Sequence, residues 1–126
     1  MDIGIKHIIT RVVEYKDSAV AMGSGAIEVF ATPAMILWME EAARNAVADT
    51  LPKGSTTVGT LVNVKHIAAT RVGKKVCIIA RLTGIDKRLL SFAVEARENN
   101  IDGKLLGEGI HERAIIDIER FMGKLT

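Results

Sequence analysis

The stretch TPAMILWMEEAARNAV, residues 32–47, reads as one apolar helix with two adjacent carboxylates, Glu40 and Glu41, at its centre. Thr32 is suited to cap its start, Pro33 fits the first helical position, where a missing N–H costs nothing, and LPKGS at 51–55 closes it. A helix near residues 33–50 is expected. Adjacent helical residues point about 100° apart. Steps of three or four from Glu40 reach Ile36, Ala43 and Val47, beside a second apolar row of Met35, Met39, Ala42 and Ala46. The same steps from Glu41 reach Leu37, Arg44, Asn45 and Ala48, a mixed face on which Glu41 and Arg44 can pair in water. Glu40 is therefore expected on the apolar stripe and Glu41 at the surface.

Before the helix, IGIKHIITRVVEY (3–15) has strand composition, and DSAVAMGSGAIEVFAT (17–32) is small and glycine-bearing, as a mobile connection would be. After it the pattern changes to period two. TTVGTLVNVKHIAAT (56–70), KKVCIIARLTGI (74–85), RLLSFAVEARE (88–98) and LLGEGIHERAIIDI (105–118) are separated by RVG, DK and NNIDG. This predicts four strands in an antiparallel meander. An early strand, one helix and four long strands make a single α+β domain over residues 1–126, with the helix covering one face of the sheet.

Composition narrows the function. Hydrophobic residues are 48% and charged residues 25% of the 126, a globular balance. A net charge of +2 with scattered basic residues gives no footprint for nucleic acid. No apolar run approaches the roughly 20 residues that span a bilayer, and MDIGIKH lacks the layout of a signal peptide. A soluble, cytoplasmic protein is expected. Cys77, the single cysteine, lies in the apolar run VCIIA and reads as a small buried hydrophobe. His7, His66 and His111 with that cysteine give no zinc-type spacing, GSG at 23–25 is no phosphate loop, and no Gly-x-Ser-x-Gly elbow occurs.

A carboxylate turned toward a core must be paired, hydrogen-bonded or protonated. Glu40 is either at the rim of the stripe, or answering a basic group, or functional. In VGTLVNVKH, period two puts Val58, Thr60, Val62, Val64 and His66 on one face and Gly59, Leu61, Asn63, Lys65 and Ile67 on the other. His66 is either a satisfied core histidine or a titratable partner for Glu40 where helix and sheet cross. Gly59 admits a close ligand or marks a bulge.

Three segments, VFATPAMILWMEEAA (29–43), VGTLVNVKHIAAT (58–70) and GIHERAIIDIERF (109–121), together resemble the fluoroacetyl-CoA thioesterase-like group of the hotdog-fold superfamily. The resemblance implies a long central helix wrapped by an antiparallel sheet, and a homodimer with active sites at its interface; it leaves open whether dimers pair into tetramers. It implies an acyl-CoA thioester as substrate, with CoA present only as part of that substrate and no separate cofactor or metal. The family's Thr, Glu and His set falls on Thr32, Glu40 and His66, a family glycine beside the thioester on Gly59, and a site-associated arginine of the last strand on Arg113. Glu40 would attack the acyl carbon or act as general base toward water, with His66 moving protons and Thr32 holding the carboxylate or the substrate. Where the fluoroacetyl-specific enzyme carries two lid phenylalanines, this chain has Gly23 and Ala26. A more open pocket for another short or medium acyl-CoA is therefore expected. A non-catalytic acyl-CoA or small-ligand binding dimer, or a hotdog hydratase or dehydratase, are the alternatives.

Overall fold

Alternating apolar side chains from residue 55 onward form four long strands, and the apolar 3.6-residue period forms one long helix. The computed structural model describes residues 1–126. It contains β1 (Lys6–Val12), a 3-10 turn (Tyr15–Asp17), α1 (Ala19–Met22), α2 (Thr32–Ala48), β2 (Ser55–His66), β3 (Lys75–Asp86), β4 (Leu89–Glu98), β5 (Leu105–Asp117) and α3 (Ile118–Gly123). No helix is long and apolar enough to cross a membrane.

The strands make one antiparallel sheet in the order β1-β3-β4-β5-β2. Only β3, β4 and β5 form a meander, so the four-strand meander expected from sequence is corrected. Both edges of β3 are taken, one by β1 from Lys6↔Arg81 to Val12↔Lys75 and the other by β4. The open edge of β5 remains for β2, and the two pair from Ser55↔Asp117 to His66↔Gly107.

Met35, Trp38, Met39, Ala42, Ala43, Ala46 and Val47 of α2 are buried against the sheet. From β3 come Val76, Ile78, Ala80 and Leu82, and from β4 Leu90, Phe92, Val94 and Ala96, each set spaced by two. Across β4, β5 and β2 the inward side chains lie in columns: Leu90–Arg113–Gly59, Phe92–His111–Val62, Val94–Gly109–Val64 and Ala96–Gly107–His66. Glycine in β5 brings the sheet up to the helix: a Cβ on Gly107 would lie 2.6 Å from the Met35 sulfur.

Gly59 and Val62 both lie in these inward columns although three residues apart, because the register of β2 shifts between Gly59 and Leu61. Thr60 is the extra residue of a β-bulge, and an extra residue reverses the side-chain alternation beyond it. Strict period two had put Gly59 and His66 on opposite faces; the bulge puts both toward the helix.

Residues 17–32 also differ from expectation. The segment is tied down: the buried Ser18 hydroxyl accepts from the Ala21 amide at 3.2 Å and caps α1. Ala19 N–H donates to Val29, Ala31 N–H to Asp17, and Phe30 N–H to Thr70. Of its small residues Ser18, Ala19 and Ala31 are buried and a Cβ on Gly25 would lie 3.1 Å from that of Ala19, while Ala21, Gly23, Ser24 and Ala26 are exposed. Cys77 is buried and free, as expected.

A Cβ on Gly109 would meet the Asn63 carbonyl oxygen at 2.1 Å and the Val64 Cα at 2.6 Å, both backbone atoms. Gly109→Ala is expected to push β2 away from β5 and to cost about 3 kcal/mol, the upper range for overpacking. Urea denaturation measures it; a loss under about 0.5 kcal/mol, the scale of an ordinary surface substitution, would contradict this packing.

Candidate active site

Thr32 is the first residue of α2 rather than its N-cap, which is Ala31, and no side chain caps the helix. The expected cap is displaced because the Thr32 hydroxyl is engaged elsewhere: Oγ1 lies 2.8 Å from Nδ1 of His66. His66 ends β2 and stands edge-on to Phe30, ring centroids 6.1 Å apart. Burial pushes its imidazole below the ordinary histidine range, partly opposed by the backbone of Ala68, so the ring is neutral near pH 7. Its Nε2 is buried without a hydrogen-bond partner. A cavity of about 260 Å³ opens beside this pair, walled mainly by apolar residues including Ala19, Val29, Phe30 and Ile67. Phe30 is 1% exposed and packs against Trp38, ring centroids 4.7 Å apart and planes tilted by 45°, so it forms wall, not lid. Gly23 and Ala26 are exposed, Gly23 as the left-handed C-cap of α1 with φ of 77°.

Glu40 lies eight residues further along α2, roughly 12 Å by helical rise. Within one chain it meets a different set of groups. Its Oε2 is 3.9 Å from Nη1 of the buried Arg113 and would be 3.0 Å from a Cβ on Gly59. Glu40 therefore stands on the flank of the apolar stripe facing β2 and β5, with 39% of its side chain exposed.

Glu41 stands on the opposite flank. It pairs not with Arg44, as expected, but with Arg11 of β1, through two hydrogen bonds. Arg11 also lies over the Trp38 ring, 5.6 Å from its centroid. Side chains 100° apart on a helix lying on a sheet reach out over opposite sides, and each carboxylate here finds the arginine of its own side. Arg11, chiefly by hydrogen bonding, holds the Glu41 carboxyl below the usual carboxylate range, with Arg44 contributing from further off. The largest groove, about 730 Å³, lies on this flank beside Arg11, Leu37 and Trp38. It includes neither Thr32, His66 nor Glu40.

Thr57 and His111, which sequence reasoning did not select, complete the Glu40 cluster around Arg113, which it did. Arg113 donates from Nε to the Thr57 hydroxyl at 2.7 Å and from Nη2 to the Thr57 carbonyl at 2.9 Å. Its Nη1 lies 3.2 Å from Nε2 of His111, whose Nδ1 lies 2.8 Å from the Leu61 carbonyl oxygen. Burial lowers the affinity of the Arg113 guanidinium for its proton while Glu40 opposes the shift, and the group stays cationic. The available signal was the HER run: His111 and Arg113, two apart in a strand, share one face.

The family model of fluoroacetyl-CoA-specific thioesterase matches residues 13–119. The chain belongs to this family. It is 41% identical to the fluoroacetyl-CoA thioesterase of Streptantibioticus cattleyicolor over 98 residues, 78% of this chain and 68% of that protein. The solved structure of fluoroacetyl-CoA thioesterase FlK superposes with a TM-score of 0.90 at 33% identity, covering 98% of this chain and 94% of that one. A Thermus thermophilus thioesterase superfamily member, 24% identical, gives 0.88 over 97% of this chain and 88% of its own, a likeness of fold. The expected hotdog fold, an α+β sheet around a long helix, is thus the fold of this family member.

The Arg11–Glu41 pair is partly exposed, a setting where ion pairs contribute up to about 1 kcal/mol. Because the Glu41 carboxyl is depressed in the folded state, its contribution is present above the unfolded value near 4.5 and fades as pH falls through the lower folded value. Glu41→Gln should therefore lower stability at pH 7 by at most about 1 kcal/mol, with the difference closing toward pH 3. Urea titrations at the two pH values test this; a difference that widens in acid would refute it.

Proposed function

We propose that the protein is an acyl-CoA thioesterase, hydrolysing a short or medium acyl-CoA to the free acid and CoA, with Thr32, Glu40 and His66 at the reacting thioester. The observation that carries the reading is the Thr32–His66 contact at the open start of α2, beside an apolar cavity of about 260 Å³. That volume lies below the ~300–1,000 Å³ of drug-sized ligand pockets, and suits a short acyl chain. Gly23 and Ala26 offer no ring to close over it, which argues against selection for fluoroacetyl.

In the reaction a C–O bond to the acyl carbon forms and the C–S bond breaks. Either the Glu40 carboxylate attacks the acyl carbon, giving a mixed anhydride that water then hydrolyses to the free acid and restored carboxylate, or it takes a proton from water, whose oxygen attacks; in both the departing thiolate receives a proton. A neutral His66, with Nδ1 toward Thr32 and Nε2 unpaired, suits proton transfer. The uncapped start of α2 favours the negative charge that develops on the thioester oxygen.

The separation of Glu40 from Thr32 and His66 within one chain supports a homodimer. β2 is an edge strand, and Thr60–Asn63 is exposed, with Leu61 and Val62 each 42% accessible. Antiparallel pairing of β2 with its symmetry mate, about a two-fold axis between Val62 and Asn63, sets Gly59 of one chain opposite His66 of the other. Each site would then take Thr32 and His66 from one subunit and Glu40, Gly59 and Arg113 from the other.

Thiol release across acyl-CoAs of increasing length, fluoroacetyl-CoA included, tests the activity. Glu40→Gln is expected to reduce it at least about 100-fold, the scale of a positioned acid or base, and Glu41→Gln to change it little. Equal small effects from both would remove Glu40 from the chemistry.

Sharing between subunits is tested by mixing two inactive variants, Glu40→Gln and His66→Ala, after partial unfolding and refolding. Random reassortment makes half the dimers mixed, each with one intact site, so about a quarter of native activity should return. No recovery, with mixed dimers shown by mass spectrometry, would mean that each site is built from one chain.

A further inference from the structure

His111 is 1% exposed, stands in the inward column with Phe92 and Val62, and has no place in the reaction as described. Both its ring nitrogens are nonetheless engaged. Nδ1 faces the Leu61 carbonyl oxygen at 2.8 Å, which accepts only, so Nδ1 carries the proton. Nε2 faces Nη1 of Arg113 at 3.2 Å, which donates only, so Nε2 carries the lone pair. The two neighbours fix a single neutral tautomer.

The same Nη1 is the guanidinium nitrogen nearest Glu40, 3.9 Å from Oε2. Thr57 holds the other side of the fork, at Nε and Nη2. Without an acceptor at position 111, Nη1 loses its partner in the sheet and the guanidinium is free to turn about the Thr57 contacts toward Glu40. With it, Arg113 stays flat against β5, and Glu40 faces the cation without a close ion pair that would quench its oxygen.

We propose that His111 is a positioning residue: through the lone pair on Nε2 it holds the Arg113 guanidinium at a distance from which it orients Glu40 without capturing it. Two observations agree. A Cβ on Gly59 would lie 3.0 Å from Glu40 Oε2, 3.4 Å from His111 Cε1 and 3.5 Å from Arg113 Nη1, so the three groups converge on one small space. Burial, with Arg113 adding to it, pushes His111 below the ordinary histidine range against the opposing pull of Leu61 and Glu40, which keeps the lone pair available.

The inference rests on Glu40 acting in the reaction, and the test separates the two. His111→Asn keeps a donor near the Nδ1 position but offers Arg113 nothing, whereas His111→Gln carries a carbonyl oxygen near the Nε2 position. Expected are a fall in kcat of about tenfold to a hundredfold for Asn, the cost of a small misplacement, with KM little changed, and recovery of most of that loss for Gln. Nitrogen-15 spectra of the native protein should show His111 protonated at Nδ1 and bare at Nε2. An Nε2-protonated ring overturns the proposal whether or not the variants fold, and so does native kcat in a folded Asn variant, or equal loss in Asn and Gln. Glu40→Gln is assayed alongside: full activity there overturns the reading of Glu40 itself, while its loss together with an unaffected Asn variant overturns only the role of His111.

Discussion

One extra residue in β2 decides what faces the helix. Before Thr60 the inward positions are Thr57 and Gly59; after it they are Val62, Val64 and His66. Without the bulge, whichever register the strand took, either Gly59 or His66 would turn to the far face of the sheet. The bulge lets a single strand present a glycine beneath Glu40 and a histidine beneath Thr32. It also exposes the segment from Thr60 to Asn63 on the open edge, where a second β2 would pair.

The helix answers that strand with two carboxylates of different character. Both Glu40 and Glu41 are partly exposed, and each has an arginine on its side. Arg11 reaches Glu41 in a two-point contact that satisfies both partners. Arg113 is committed elsewhere: three of its nitrogens already donate to Thr57 and His111, and its approach to Glu40 is the longest it makes. A carboxylate held through both oxygens by one guanidinium is an anchor, while one that feels a nearby cation but keeps its oxygens unbound is available to react. The difference between these neighbouring residues thus lies in what their arginines are already doing.

Much of this was legible in the sequence. The 3.6-residue period around Met35, Met39 and Ala42 located α2 within two residues at each end, and the two-residue period from Thr56 onward located four strands. Non-local facts were not legible. Strand order depended on β1 having taken an edge of β3, and no pattern inside β2 states that. Gly59 offered a bulge as one of its two readings, yet nothing in the pattern says that an extra residue is present or that the alternation reverses after it. Thr32 has the composition of an N-cap, yet its hydroxyl bonds a histidine 34 residues away. Residues 17–32 looked loose because they are small, but small residues also suit a segment packed around the buried Ser18 and Phe30. Arg11 and His111 were missed for a shared reason: their partners lie on other elements, 30 and 50 residues distant.

The separation of the two clusters follows from the geometry of any helix laid along a strand. Thr32 and Glu40, two turns apart on α2, stand over well-separated positions of β2, His66 at its end and Gly59 seven residues earlier. A rigid helix and a rigid sheet cannot bring such groups together within one chain. The proposed two-fold axis between Val62 and Asn63 would do so, because it sets Gly59 of one chain opposite His66 of the other. Each chain of the proposed dimer would carry both halves of a site and complete neither alone, so activity in this arrangement would be bound to assembly. The apolar exposure of Leu61 and Val62, unfavourable in an isolated chain, would be relieved by the contact that unites the two clusters.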